Sequence, residues 1–290
     1  MEELRQQYHM VQRQRSADWD RHKTAGGEVL LQMMEDGLRL LYRLPDKGAL
    51  CALDEIRFTR NLNQSGKLQQ FRQFIPESFL SEAEFSLVRI AADPTAFTLI
   101  PSPLFSEETA RDLLQLVADV PETDVIFHEK KGDDVHLVFS VPGEWVEWAA
   151  GFFTQAAPDW TCLFSGMLQT MSQAGDSAGM LLHVESGRIH CMAKNNEGLS
   201  FFNRYRYRTE HDLLYFFLLA MEQSGLEPGS DLVQLCGSIM SGSAGFEKLQ
   251  RYAGNLRFAL PPETESLLPP AAGIRHPLYF DLLTLFPSVQ

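Results

Sequence analysis

The chain has 290 residues, 44% of them hydrophobic and 22% charged, with a formal net charge of −13. That length suits one large domain or two of about 100–150 residues, each with a core that needs no staples. The charge is uneven: residues 1–27 hold five Lys/Arg and four Asp/Glu, residues 28–174 eleven and twenty-two, and residues 175–290 nine and twelve. A surface so acidic repels phosphate backbones, which argues against nucleic acid as a general partner.

The four cysteines, Cys51, Cys162, Cys191 and Cys236, are far apart and mostly inside apolar runs, where free thiols act as small hydrophobes. No disulfide or zinc framework is visible. The longest apolar run, Leu213 to Met221, is well short of the roughly 20 residues a spanning helix needs. No charged-then-apolar leader opens the chain, so the expectation is a cytoplasmic protein with no transmembrane segment.

Residues 1–27 are polar, with Leu4, Tyr8 and Val11 as a thin apolar stripe, and read as a frayed helix or tail. Val29 to Met34 and Leu38 to Leu44 form a hairpin around Asp36-Gly37, a pair that supplies the positive φ of a tight turn. Pro45 to Gly48 turns again, and Ala49 to Phe58 is a third strand. Leu68, Phe71, Phe74 and Ile75 stand at helical spacing before Pro76, a stop signal. Phe85 to Ala91 and Phe97 to Ile100 read as strands. Ser106 caps a helix that runs to Val117 and buries Leu113, Leu114, Leu116 and Val117. Asp124 to His128 and Val135 to Val141 form a hairpin, and Trp145 to Gln155 and Thr161 to Gln173 read as helices.

The small-residue stretch Gln173 to Gly179 has the composition of a domain joint. After it the three-strand pattern recurs. Gly187 falls 150 positions after Gly37 (187 − 37) and Gly198 falls 150 after Gly48 (198 − 48), with an Arg- and aromatic-rich third strand after each pair. Thr209 and Asp212 have the form of a capping box for the apolar helix Leu213 to Met221, which Gly225 ends. A strand at Asp231 to Leu235, a Gly/Ser loop, a helix at Phe246 to Ala253 and a strand at Leu256 to Leu260 follow. Residues 263–273 are linker-like, and Pro277 to Phe286 reads as a terminal helix that docks elsewhere.

This order, repeated in two halves, resembles the actin-like ATPase superfamily of actin, sugar kinases and heat-shock chaperones. The runs FFNRYRYRTEHDLLY (Phe201 to Tyr215), FTLIPSPLF (Phe97 to Phe105) and LVQLCGSI (Leu232 to Ile239) are similar to a family of uncharacterised bacterial proteins with that fold, over about residues 28–288. That family is related in fold to actin-like scaffolds of pilus assembly and type II secretion. The resemblance implies an α/β protein of two ribonuclease-H-like domains, 28–174 and 175–290, behind a tail of residues 1–27. Each would hold a mixed sheet with a three-strand antiparallel meander and flanking helices.

Active members of the superfamily handle phosphate and metal at an Asp-x-Gly turn in each domain and hold the nucleoside at a Gly-Gly pair. The matching positions here are Glu35-Asp36-Gly37, Glu185-Ser186-Gly187 and Gly237-Ser238, and each departs from the pattern. Glu in place of Asp displaces the carboxylate by a methylene, where ~1 Å of misplacement costs about a hundredfold. Leu38 stands where a Ser, Thr or Lys donor would follow Gly37. The expectation is therefore a catalytically degenerate binding or assembly module without a cofactor. The alternative is an ATPase or kinase that holds ATP and Mg at those eight residues.

Other matches are weaker. Gly175 to Gly179 fits a Gly-x-Ser-x-Gly nucleophile pattern but in the wrong strand–helix order. Gly237 to Gly242 has phosphate-loop spacing, yet Ser243-Ala244 stands where the lysine and hydroxyl belong. His183 and His190 face each other across a hairpin, but only Cys191 and Glu185 are near in sequence, and two satisfied histidines are the simpler reading. Arg204, Arg206 and Arg208 share one strand face, which suits either an acidic protein or peptide partner or the chain's own acidic first domain.

Overall fold

The computed structural model describes residues 6–15, 26–44, 50–78, 80, 85–132, 134–173, 178–260 and 276–285. The first meander is β2 (Gly27–Met33), β3 (Gly37–Arg43) and β4 (Leu50–Phe58), and the second is β10 (Gly179–Glu185), β11 (Arg188–Asn195) and β12 (Gly198–Arg206). Each is extended on the side of its first strand by two parallel strands. These are β5 (Phe85–Ala92) and β9 (Asp159–Cys162) in one sheet, and β13 (Leu232–Gly237) and β14 (Asn255–Phe258) in the other. The strand orders β4-β3-β2-β5-β9 and β12-β11-β10-β13-β14 are the same, which establishes the duplicated architecture. The turn at residues 45–49 lies outside the described residues, as do the Gly175-Asp176-Ser177 match and the linker 263–273.

Four expectations are corrected. The N-terminal stretch holds a strand, β1 (Tyr8–Arg15), not a helix; it pairs antiparallel with β4, and Tyr8 is buried while Val11 is exposed. Its buried face is partly polar, because Arg13 and Arg15 reach the buried Asp54, so apolar periodicity is weak there. Residues 161–173 split into the end of β9 and a helix, α4 (Ser165–Gln173), a boundary disguised by the apolar residues on both sides of Ser165-Gly166. Gly37 has no positive φ; glycine is needed there because a Cβ would sit 2.2 Å from the Ile56 carbonyl oxygen. The helix expected from Ser106 is confined to α2 (Ala110–Gln115), with Leu114 buried and Leu116 and Val117 exposed.

An insertion separates β5 from β9. It holds β6 (Phe97–Pro101), α2, β7 (Asp124–Lys131) and β8 (Val135–Pro142), whose strands form a separate sheet in the order β6-β8-β7. The first sheet is covered on one face by α1 (Gln64–Phe74) and α3 (Gly143–Phe152), through Phe71, Phe74 and Trp145. Its other face presents Leu30, Leu41 and Leu53 to the C-terminal turn, where Tyr279, Leu282, Leu283 and Leu285 are buried. The terminal segment thus docks on the first domain, and a short helix, α7 (Phe280–Leu283), is its regular part.

In the second domain, alternation sends Met180, Leu182 and Val184 outward against α5 (Glu210–Gln223) and α6 (Ala244–Gln250). Leu181 and Met192 face the first domain instead, in one cluster with Phe164 and Met167. His183, Glu185, Arg188 and His190 belong to that inward face by the same alternation.

Candidate functional site

The two predicted phosphate turns meet across the domain interface. Glu35 leads out of β2 and Glu185 ends β10, and the cation between them is Arg188, the first residue of β11. Its guanidinium lies 2.8 Å from Glu35 Oε2, 2.8 Å from Asp93 Oδ2 and 2.7 Å from Glu185 Oε2, with the side chain 7% exposed. Burial alone would lower the Arg188 pKa, but Asp93, Glu185 and Glu35 outweigh it and the net shift is upward. Arg204 adds a second contact from β12 to Asp93, at 2.8 Å, donates to the Pro94 carbonyl and lies over the Phe97 ring. Arg206 Nη2 meets Glu35 Oε1 at 2.8 Å, although its side chain is 77% exposed. Arg208 is exposed, and its backbone N–H donates to Asp212.

Asp36 does not join this group; it pairs with Arg57 at 3.1 Å. Beside them lies a cavity of about 120 Å³ lined by Asp36, Arg39, Arg57, His183, Glu185, Ser186, Gly237, Ser238 and Leu278. Five of the eight candidate nucleotide residues line it, but it has room for only about four waters. The Gly237-Ser238 loop is closed down on β10: Ser238 N–H donates to the Val184 carbonyl at 2.6 Å, and a Cβ on Gly237 would sit 2.3 Å from that oxygen. A larger hollow of about 820 Å³ lies away from the cleft, lined by polar side chains including Arg60 and Glu144 together with Trp148.

Behind the cavity runs a buried polar network. Arg39 Nη1 pairs with Asp281 Oδ2 at 3.1 Å, Gln32 donates to the same carboxylate, and Tyr279 donates to Glu55 at 2.9 Å. Burial pushes the Asp281 carboxyl up, yet Arg39 and then His183 hold it below its usual range. His183 and His190 are both buried, with Nδ1 atoms 3.2 Å apart. Burial, followed by the neighbouring His183, keeps His190 far below the usual imidazole range.

Sequence reading singled out neither Arg188 nor Asp93, nor Lys67 of α1, whose ammonium lies 3.5 Å from the Met34 carbonyl and is lowered in pKa by burial. A signal for Arg188 existed, since Glu185 and Arg188 flank a two-residue turn and must face each other. Nothing local points to Asp93, whose partners are 95 and 111 residues away.

Two domains of this strand order enclosing a cleft define the actin-like ATPase fold. Two solved structures, with TM-scores above 0.5, agree. A Bacteroides thetaiotaomicron protein with actin-like ATPase fold and unknown function has a TM-score of 0.69 at 18% identity, over 83% of this chain and 93% of that one. A chain of the PilM–PilN type IV pilus biogenesis complex has a TM-score of 0.58 at 12% identity, over 89% and 97%. The cytoplasmic domain of EpsL, an inner membrane component of the Vibrio cholerae type II secretion system, has a TM-score of 0.41 at 12% identity, over 79% and 94%. Residues 17–256 match the DUF3822 family, described as proteins of unknown function, and the chain belongs to that family. No curated protein sequence matches it. Among the described residues no helix is long and apolar enough to cross a membrane.

Proposed function

We propose that this chain is a catalytically degenerate actin-like protein that works as a binding or assembly module, its inter-domain cleft latched by ion pairs in place of nucleotide. The observation that carries this reading is Arg188. Its guanidinium takes up Glu35 and Glu185, the carboxylates at the two phosphate-turn positions, together with Asp93. Magnesium ions bridge nucleotide phosphates and carboxylates in phosphoryl-transfer sites. Here a fixed cation holds those carboxylates, and the adjoining space of about 120 Å³ is well under the ~300 Å³ of a small-molecule pocket. The residues present do not fit Mg-ATP.

The likeness in fold to a chain of a PilM–PilN complex supports a role in protein assembly by analogy of architecture. Of the expected trio Arg204, Arg206 and Arg208, Arg204 is held by Asp93, and the exposed Arg206, the last residue of β12, and Arg208 just beyond it are the surface we assign to an acidic partner segment. Replacing both by Ala should weaken partner capture in a pull-down, and raised salt should mimic the effect.

The test of the latch is a thermal-shift and calorimetric titration with Mg-ATP. No binding and no turnover are expected. Stabilisation by about 2–3 kcal/mol at a hundredfold excess over Kd, with hydrolysis near 1 s⁻¹ lost in Glu185→Ala, would replace this reading with the ATPase alternative.

A further inference from the structure

Behind the latch, three side chains of the kinds that bind transition metals converge on one hairpin. His183 and Glu185 are two apart on β10 and so share a face, and His190 is the cross-strand partner of His183 on β11. One ligand atom from each of the three lies within 4.8 Å of the others. The histidines are 2% and 0% exposed. The geometry points to a divalent transition-metal site of the zinc type, with His183 Nδ1, His190 Nδ1 and a Glu185 oxygen as protein ligands and water completing the tetrahedron.

The spacing fits that chemistry. Zinc–nitrogen bonds of about 2.0–2.1 Å in a tetrahedron put two ligating nitrogens about 3.3 Å apart, and the two Nδ1 atoms here are 3.2 Å apart. Two rings sharing one proton would also approach so closely, but that bond makes no use of Glu185. Arg188 Nη2 takes Glu185 Oε2 at 2.7 Å, and a carboxylate has a second oxygen to offer.

The surroundings have two further features of a metal centre. Asp281 Oδ2 stands 3.9 Å from His183 Nε2, on the side of the ring away from Nδ1, beyond direct hydrogen-bond reach but near enough for its charge to act on a ligating imidazole. The cavity of about 120 Å³ touches His183 and Glu185 but not His190, so it reaches the edge of the ligand set and offers room for water beside it. Nitrogen donors favour zinc, cobalt or nickel over magnesium, so this site differs in kind from the nucleotide-bound Mg of the alternative reading. It rests on no nucleotide and stands whether or not the cleft binds one.

The experiment uses the full chain, stripped with EDTA, dialysed, and titrated without nucleotide against ZnCl₂ by calorimetry and against CoCl₂ by visible absorption. His128 and His136 on β7 and β8, near Glu107, are a surface pair that would add adventitious binding, and a His128→Ala/His136→Ala variant removes it. One equivalent of zinc, retained in that variant, is expected, with tetrahedral cobalt bands. His190→Phe should abolish it, and Glu185→Gln should weaken it at least about tenfold. If His190→Phe does not fold, as judged by circular dichroism, proton NMR of the cobalt-loaded surface-pair variant decides: hyperfine-shifted imidazole N–H signals support the site and their absence overturns it. No stoichiometric binding by the wild type, or unchanged binding by folded His190→Phe, also overturns it.

Discussion

Glu35 and Glu185, 150 positions apart in the chain (185 − 35), hold the same guanidinium: Arg188 is 2.8 Å from one carboxylate and 2.7 Å from the other. The equivalent turns of two duplicated domains thereby become one ion-pair network, shared with Asp93 and Arg204. Where a ligand bridges the lobes of a cleft, closure depends on its concentration. Here the ion pairs that join the two turns are part of the chain itself.

Removing Arg188 therefore takes the cation from Glu185 and leaves Asp93 and Glu35 only their second contacts, to Arg204 and Arg206. Arg188→Ala should destabilise the protein by about 3 kcal/mol, the low end for a broken buried pair because Glu35 is partly exposed. Urea unfolding midpoints at unchanged m-value measure this. An effect below about 0.5 kcal/mol, the size of an ordinary surface substitution, would mean the latch contributes nothing to stability.

The docking of the C-terminal turn is a second, apolar tie. Leu282 is 1% exposed among Leu30, Leu41 and Leu53 of the first sheet. Leu282→Ala should cost about 2–5 kcal/mol. Amide exchange should then accelerate both in the turn and across β2 and β3, whereas a change confined to residues 279–285 would show that the first sheet does not depend on its cover.

The capping box of α5 is complete: Thr209 Oγ1 accepts from Asp212 N–H at 3.2 Å, and Asp212 Oδ2 accepts from Thr209 N–H at 3.0 Å. Thr209→Ala should lower stability by about 1 kcal/mol. Thr209→Asn, which keeps a capping acceptor, should lose much less, and equal losses would assign the effect to something other than the cap.

Acid sensitivity should come in part from Glu129. Its carboxylate accepts from Thr161 Oγ1, Cys162 N–H and Ser165 Oγ and pairs with Lys131. Burial raises its pKa, but the Lys131 charge and the hydrogen bonds outweigh burial and the net shift is downward. A depressed folded pKa contributes stability that is complete above the unfolded value near 4.3 and is lost as pH falls through the folded value. Stability of Glu129→Gln should depend less on pH below about 4 than that of the wild type, and parallel curves would exclude Glu129 as a source.

The duplicated meander was readable because turn glycines and strand lengths are local and recur at one offset, and the capping box and the β7–β8 hairpin were readable for the same reason. The strand β9 was not, since its four residues look like the start of the following helix until β5 pairs with them. β1 was hidden by its polar inner face. At the site, the turn residues Glu35 and Glu185 stood out, but their shared cation did not, because a sequence places charges without saying which distant ones meet. The same blindness made two histidines look unremarkable, although the hairpin that aligns them also carries Glu185 to their side.

The C-terminal turn has a further consequence for how the protein is made. Leu30, Leu41, Leu50 and Leu53 are translated early, yet their cover, Tyr279 to Leu285, is translated more than two hundred residues later (279 − 53). On the ribosome the first domain must wait with one apolar face of its sheet uncovered while the whole second domain is synthesised. During that interval the uncovered face is exposed to aggregation and open to a holding chaperone.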